Sequence, residues 1–284
     1  MRALAFPIAI VWLVFAIVVN AQTPKSKQKK KEDLPDVSLQ IPDETRPEVK
    51  AIIKDNVIAL SSSKQSDRIK AAHVLGELGE QGKPVRRLLC RAMLDNFTGV
   101  RVAAADALKN IDPKIQYLAV SYVSEKNEGG RGELLRKIEA LKEDGEPLTP
   151  LVEKSAKTSA QAPQVGLLAQ EITTLSAIAK NDPSIARLIR SALDNADSSV
   201  RYSALQALGG MKHGRLAISK IIKLIKNDNA ENRIAGIRVL ANLVDESTEE
   251  IVTDAITDQR YHEVEGVRKA VEEALNKIQN KRNP

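Results

Sequence analysis

Residues 194–208 read DNADSSVRYSALQAL. A short polar turn carrying Asp leads into Val-Arg, and Ala and Leu follow at helical spacing. Laid along the chain, this frame puts Leu208 in register with Leu75, Leu108, Leu141, Leu175, Leu240 and Leu275, in steps of 33, 33, 34, 33, 32 and 35 residues. A fixed period of this size marks stacked supersecondary units, none able to bury its apolar face alone. For 284 residues with 43% apolar and 28% charged content, the period favours one elongated array over two ordinary domains.

Each period holds two helical stretches. Pro47 opens the first helix at a position where its missing N–H does no harm, and Val49, Ile52, Ile53, Val57 and Leu60 form its apolar stripe. Ser66 and Asp67 are expected to cap the second, with Ile69, Ala72, Leu75 and Leu78 inward. The pair recurs at residues 84–94 and 100–111, 113–124 and 131–143, from Pro147 or Pro150 to 157 and 163–180, 183–193 and 199–211, 215–227 and 230–244, and 248–257 and 264–279. Short connections make successive helices antiparallel. The expectation is an all-α solenoid, a superhelix of about seven antiparallel pairs over residues 47–280, with a tail at 281–284. Val100, Ala104, Ala105, Leu108 and Ile111, like Val200, Ala204, Leu208 and Met211, are its inward residues. The last helix keeps one narrow stripe, Val267, Val271, Leu275 and Ile278, as a terminal repeat needs.

Ahead of the array, residues 3–19 are apolar without a break, and Val19-Asn20-Ala21 offers small residues where signal peptidase requires them. Residues 1–21 therefore read as a signal peptide cleaved near Ala21, giving an exported chain, periplasmic or secreted. The alternative is an uncleaved anchor of residues 3–19, close to the roughly 17 residues that can span a bilayer. Lys25, Lys27, Lys29, Lys30 and Lys31 would then hold its C-terminal side in the cytoplasm. Residues 22–46 form a Lys- and Pro-rich linker, which carries part of the net charge of +6 and has too few apolar residues to fold. Cys90 is the sole cysteine, so neither an internal disulfide nor a Cys-based metal site arises; its apolar neighbours make it a core residue.

With the period, Ala-rich stripes and Val-Arg openings in place, the sequence resembles the HEAT repeat superfamily, specifically the short HEAT-like repeats named after phycobilisome lyases. The likeness is strong at Val100-Arg101, Val200-Arg201, Asn232-Arg233 and Val267-Arg268, and weak where Leu134 and Leu168 replace Arg. The resemblance implies a ladder in which an Asp ending the first helix bonds the Arg opening the second: Asp95 with Arg101, Asp194 or Asp197 with Arg201, and Asp228 with Arg233, with Arg268 in the same frame. It also implies a scaffold that binds other proteins. Tetratricopeptide and ankyrin repeats fit worse, for want of aromatics and of a recurring Thr-Pro-Leu.

Chemistry finds little purchase. Deoxyhypusine hydroxylase, a HEAT-like enzyme, builds a di-iron site from repeated His-Glu pairs; here only His262-Glu263 is such a pair, since His73 and His213 lack the Glu. Gly266 stands where a zinc protease motif needs its second His. Gly76 and Gly82-Lys83 have the wrong spacing for a phosphate loop, and helix termination accounts for them. No nucleophile elbow occurs. The sequence pI of about 9.2 raises nucleic acid or another polyanion as a partner. However, the outward row His73, Asp106, Glu139, Thr173, Gln206, Arg238 and Glu273 is mixed in sign and lacks aromatic platforms. The basic first-helix residues Arg86, Arg87, Arg91, Lys220, Lys223 and Lys226 read as a solvated face. The expectation is a non-catalytic adaptor with no cofactor, no metal and a protein partner; the alternatives are a lyase- or hydroxylase-type enzyme and a polyanion binder.

Overall fold

The computed structural model describes residues 39, 41–161 and 165–282. The signal or anchor segment and nearly all of the linker lie outside the described residues. Among those described there are fourteen α-helices and no strand. The chain divides into two compact units, Met1–Lys126 and Asn127–Pro284.

The first unit contains α1 (Pro47–Ala59), α2 (Gln65–Glu77), α3 (Arg86–Ala92), α4 (Thr98–Ile111) and α5 (Pro113–Ser124). The pairs α1/α2 and α3/α4 stack through their second helices. Gly76 of α2 makes this approach close, because a Cβ there would come within 2.8 Å of the Ala107 Cα. That packing, rather than termination or phosphate binding, accounts for Gly76. Ser66 and Asp67 do not cap α2: the helix already begins at Gln65, with Lys64 at its N-cap. Asp67 instead accepts a hydrogen bond from Ser62 at 2.8 Å.

The second unit contains α6 (Glu128–Glu139), α7 (Thr149–Ser159), α8 (Val165–Ile178), α9 (Pro183–Ala192), α10 (Ser198–Gly210), α11 (Ile218–Asn227), α12 (Ala230–Leu243), α13 (Glu249–Thr257) and α14 (Glu265–Arg282). Here α7/α8, α9/α10, α11/α12 and α13/α14 are pairs, and α6, α8, α10, α12 and α14 pack on one another in succession. The third pair read from sequence is thus divided, α5 belonging to the first unit and α6 to the second. α6 also begins earlier than expected, taking in Gly129 and Gly130, because Asn127 caps it through the Gly130 N–H at 3.2 Å. α14 runs into the expected tail, to Arg282.

The frame leucines Leu75, Leu108, Leu175, Leu208 and Leu240 are fully buried. Leu141 and Leu275 are half-buried. Cys90 is buried among Leu88, Leu89 and Met93.

Connections between pairs alternate in kind along the chain. The 3-10 turns Gly79–Val85, Lys142–Leu148 and Gly214–Ala217 follow α2, α6 and α10. Each holds a glycine pressed on the helix just left: a Cβ on Gly82, Gly145 or Gly214 would lie 3.1, 3.1 or 2.0 Å from the carbonyl oxygens of Leu75, Ile138 and Leu208. The connections after α4, α8 and α12 use Asp instead. Asp112 accepts the Ile115 N–H, Asp182 those of Ser184 and Ile185, and Asp245 that of Thr248, at 2.8 to 3.3 Å. Pro113 and Pro183 then occupy the first turn, where no donor is lost.

Candidate interaction surface

The frame arginines sit just beyond the end of the first helix of a pair and donate to main-chain carbonyls of the turn that follows it. Arg68 donates to Ser62 O and Ser63 O, Arg101 to Asp95 O and Asn96 O, Arg201 to Asn195 O and Ala196 O, and Arg268 to His262 O and Glu263 O, all at 2.7 to 3.3 Å. Arg233 donates to Asp228 O and Ile225 O at 2.7 and 2.6 Å. A cation at the negative end of the helix dipole also compensates its field.

This arrangement corrects the expected ladder. The Asp95 carboxylate bonds Arg68, at 2.8 and 3.0 Å, while Arg101 takes only its main-chain oxygen. The Asp228 carboxylate bonds Arg201, at 2.6 and 2.5 Å, while Arg233 takes only its main-chain oxygen. Asp194 pairs with Lys220, and Asp197 caps α10 through the Ser199 and Val200 N–H groups. The carboxylate therefore joins one pair to the pair before it. The reason is local: within a pair the guanidinium is committed to turn carbonyls, leaving its far edge directed at the next layer. Where that layer offers Gln259 instead of Asp, Arg233 donates to its Oε1 at 2.9 Å.

The bidentate contact has electrostatic consequences. Burial pushes the Asp228 carboxyl up, but the hydrogen bonds from Arg201, the Asn229 N–H and the Asn232 amide outweigh it and hold the group below its ordinary value. The Arg201 guanidinium is raised by its bond to Asp228. Asp197 is lowered by the Ser199 hydroxyl and N–H.

Leu134 and Leu168, which stand in place of Arg, are both buried. A polar set the sequence did not single out ties these helices: Arg131 of α6 donates to Ser155 of α7, whose hydroxyl donates to Glu171 of α8. Glu171 is fully buried, 3.8 Å from Arg131. The only sign of it in the sequence is a Glu on the otherwise uncharged stretch 165–178.

Arg86, Lys220 and Lys226 of the basic first helices are answered within the fold. Arg86 meets Asp112 at 2.5 Å, Lys226 meets Asp258 at 3.1 Å, and Lys220 meets Asp194. In the outward row, Arg238 and Glu273 pair at 3.1 Å. His262 lies in the turn before α14, where its Nδ1 accepts the Val264 N–H. Among the described residues, no group of three or more His, Cys, Asp or Glu is arranged to hold a metal, and no helix is long and apolar enough to cross a membrane.

No protein-family model matches the chain, nor does any curated protein sequence. Among solved structures it is similar to human deoxyhypusine hydroxylase in complex with glycerol, at 12% identity over 84% of this chain and 93% of that one, TM-score 0.39. It is also similar to an archaeal HEAT-like repeats protein from Thermococcus onnurineus, at 14% identity over 83% and 94%, TM-score 0.34. A third is the complex of CpcE and CpcF of phycocyanin lyase from Nostoc, at 16% identity over 90% and 99%, TM-score 0.33. These likenesses are of fold alone. The period, helix pairing and repeated turn chemistry already described make each of the two units a stack of helix pairs.

Proposed function

We propose that this HEAT-like stack is an exported, non-catalytic scaffold that binds another protein through its helical faces. The observation that carries the reading is the succession of second helices in the second unit, which leaves one side of each exposed while Arg201, Arg233 and Arg268 are tied to main-chain carbonyls. Solenoids use such faces for extended partners. Pairing of Arg86, Lys220 and Lys226 within the fold favours a protein partner over a polyanion, since phosphate tracking needs free cations in a continuous row. The apolar run at residues 3–19 and the Val19-Asn20-Ala21 site support export and cleavage near Ala21.

The test is cross-linking in the native envelope with a tagged full-length chain, followed by mass analysis of the tagged product. The expected result is a mature chain beginning near Gln22 and one stoichiometric protein partner. Retention of residues 1–21 would overturn export by cleavage. Salt-sensitive capture of DNA or heparin without a protein would overturn the partner class.

A further inference from the structure

The exposed side of the second-helix layer is not uniform. α6 carries exposed Arg136 and Lys137, and α12 exposed Glu231 and Arg238. Between them, α8 and α10 carry no charged residue in the exposed class. Their sole ionisable side chains besides Tyr202 are Glu171, which is fully buried, and Arg201, which is committed to Asp228 and two carbonyls. In a chain that is 28% charged, two adjacent helices thus present Thr173, Ser176, Tyr202 and Gln206 in a neutral field.

Covering the hydroxyls of Thr173 and Ser176 costs little. Thr173 and Ser176 already donate to the carbonyls of Ala169 and Thr173, at 3.1 and 2.8 Å, so neither loses a donor bond on being covered. A neutral centre with a charged rim is the anatomy of a protein interface. The rim has a sign at one end: Lys180 and Lys212 are exposed at the C-terminal ends of the two helices, brought together by the Lys212 N–H bond to Lys180 O at 3.2 Å.

We infer that the α8/α10 face is the docking surface for a protein segment with an uncharged middle and an acidic end, its carboxylates set against Lys180 and Lys212. This deepens the scaffold reading and rests on it. A charged middle would be stripped of water with no counter-charge beneath it, whereas an acidic end gains attraction at the rim.

The experiment is selection from a displayed library of random peptides of about 15 residues, long enough to run the length of α8 as a helix, with the full chain as bait. Enriched sequences are expected to be uncharged through the middle and to finish in Asp or Glu. Thr173→Lys or Gln206→Lys should weaken binding of the enriched peptides about tenfold or more, with unchanged thermal melting showing that the fold is intact. Lys180→Glu with Lys212→Glu should switch the selected end from acidic to basic, which a purely structural role for these lysines would not do. No enrichment, charge throughout the enriched peptides, or indifference to Gln206→Lys would each overturn the inference. If the cross-linked partner persists in Gln206→Lys, the scaffold reading stands and only this face is wrong; if no partner is captured at all, both readings fall.

Discussion

Where α10 meets α11, Arg201 grips Asp228 across the pair boundary through two contacts of 2.5 and 2.6 Å, at a partly wet edge. Where α6, α7 and α8 meet, Leu168 takes the arginine's place and the polar link moves inward, to Arg131, Ser155 and a Glu171 with no exposure. Both joints tie helices of adjoining pairs, but they carry different risks. At the first, losing a partner leaves a group that water can reach. At the second, it leaves a charge in the core, and that is the more damaging loss.

The largest effect should follow from Arg131→Met, which removes the cation facing Glu171 while keeping the bulk of the side chain. A loss of about 3 to 5 kcal/mol is expected, measured as a shift of the urea midpoint. Replacing both residues, as Arg131→Met with Glu171→Leu, should recover most of it. If the single variant loses less than Asp228→Asn does, the contrast between the joints is wrong.

The apolar frame offers a second comparison. Leu208, on the helix that carries Arg201, is fully buried, whereas Leu141, just past the end of α6, is half-buried. Leu208→Ala should cost about 2 to 5 kcal/mol and Leu141→Ala clearly less, because a side chain already in contact with water leaves a smaller void. Equal losses in calorimetry would show that frame position, not burial, sets the cost.

The reach of sequence reading follows from this. Leu208 and its frame were legible because helix burial repeats with the chain period, so one apolar position reports many layers. The ladder was legible in composition but not in connection: Asp95 and Asp228 are neighbours in sequence of Arg101 and Arg233, and only the layering shows that they face Arg68 and Arg201. Glu171 stands four residues before Leu175, where Ala104 and Ala204 stand before Leu108 and Leu208, so the frame marks an inward carboxylate; its partners Arg131 and Ser155 sit outside the frame on two other helices, and the connection was not legible. The alternation of glycine and aspartate connections was missed for another reason. It repeats every two pairs, so a search at the single-pair period averages it away.

At the arginine joint, Asp228→Asn should cost about 1.5 to 3 kcal/mol near neutral pH, the worth of a hydrogen bond to a charged group. The dependence on pH is specific. The folded carboxyl sits below its ordinary value of 3.8, so its contribution is full above that value and fades as pH falls through the lower folded one. The gap between wild type and variant in denaturant midpoint should therefore be flat above that value and narrow in strong acid. A gap that widens on acidification would place the carboxylate elsewhere than against Arg201.

The smallest effect tests the connection leading out of α6. Lys142 holds φ at 50°, where the matching position after α2 is Gly79 at φ 52°. A side chain in this left-handed region costs about 1 to 2 kcal/mol through the crowding of Cβ against the next carbonyl. Glycine avoids that crowding but loses more chain entropy on folding. Lys142→Gly should then raise stability by about 0.5 to 1 kcal/mol, and the converse Gly79→Lys should lower it by a similar amount. Both changes sit at connections outside the helices, so the joints themselves are untouched. A stabilised Lys142→Gly that still loses as much to Arg131→Met would assign the vulnerability of this region to its buried charge alone, since the backbone strain would already have been removed.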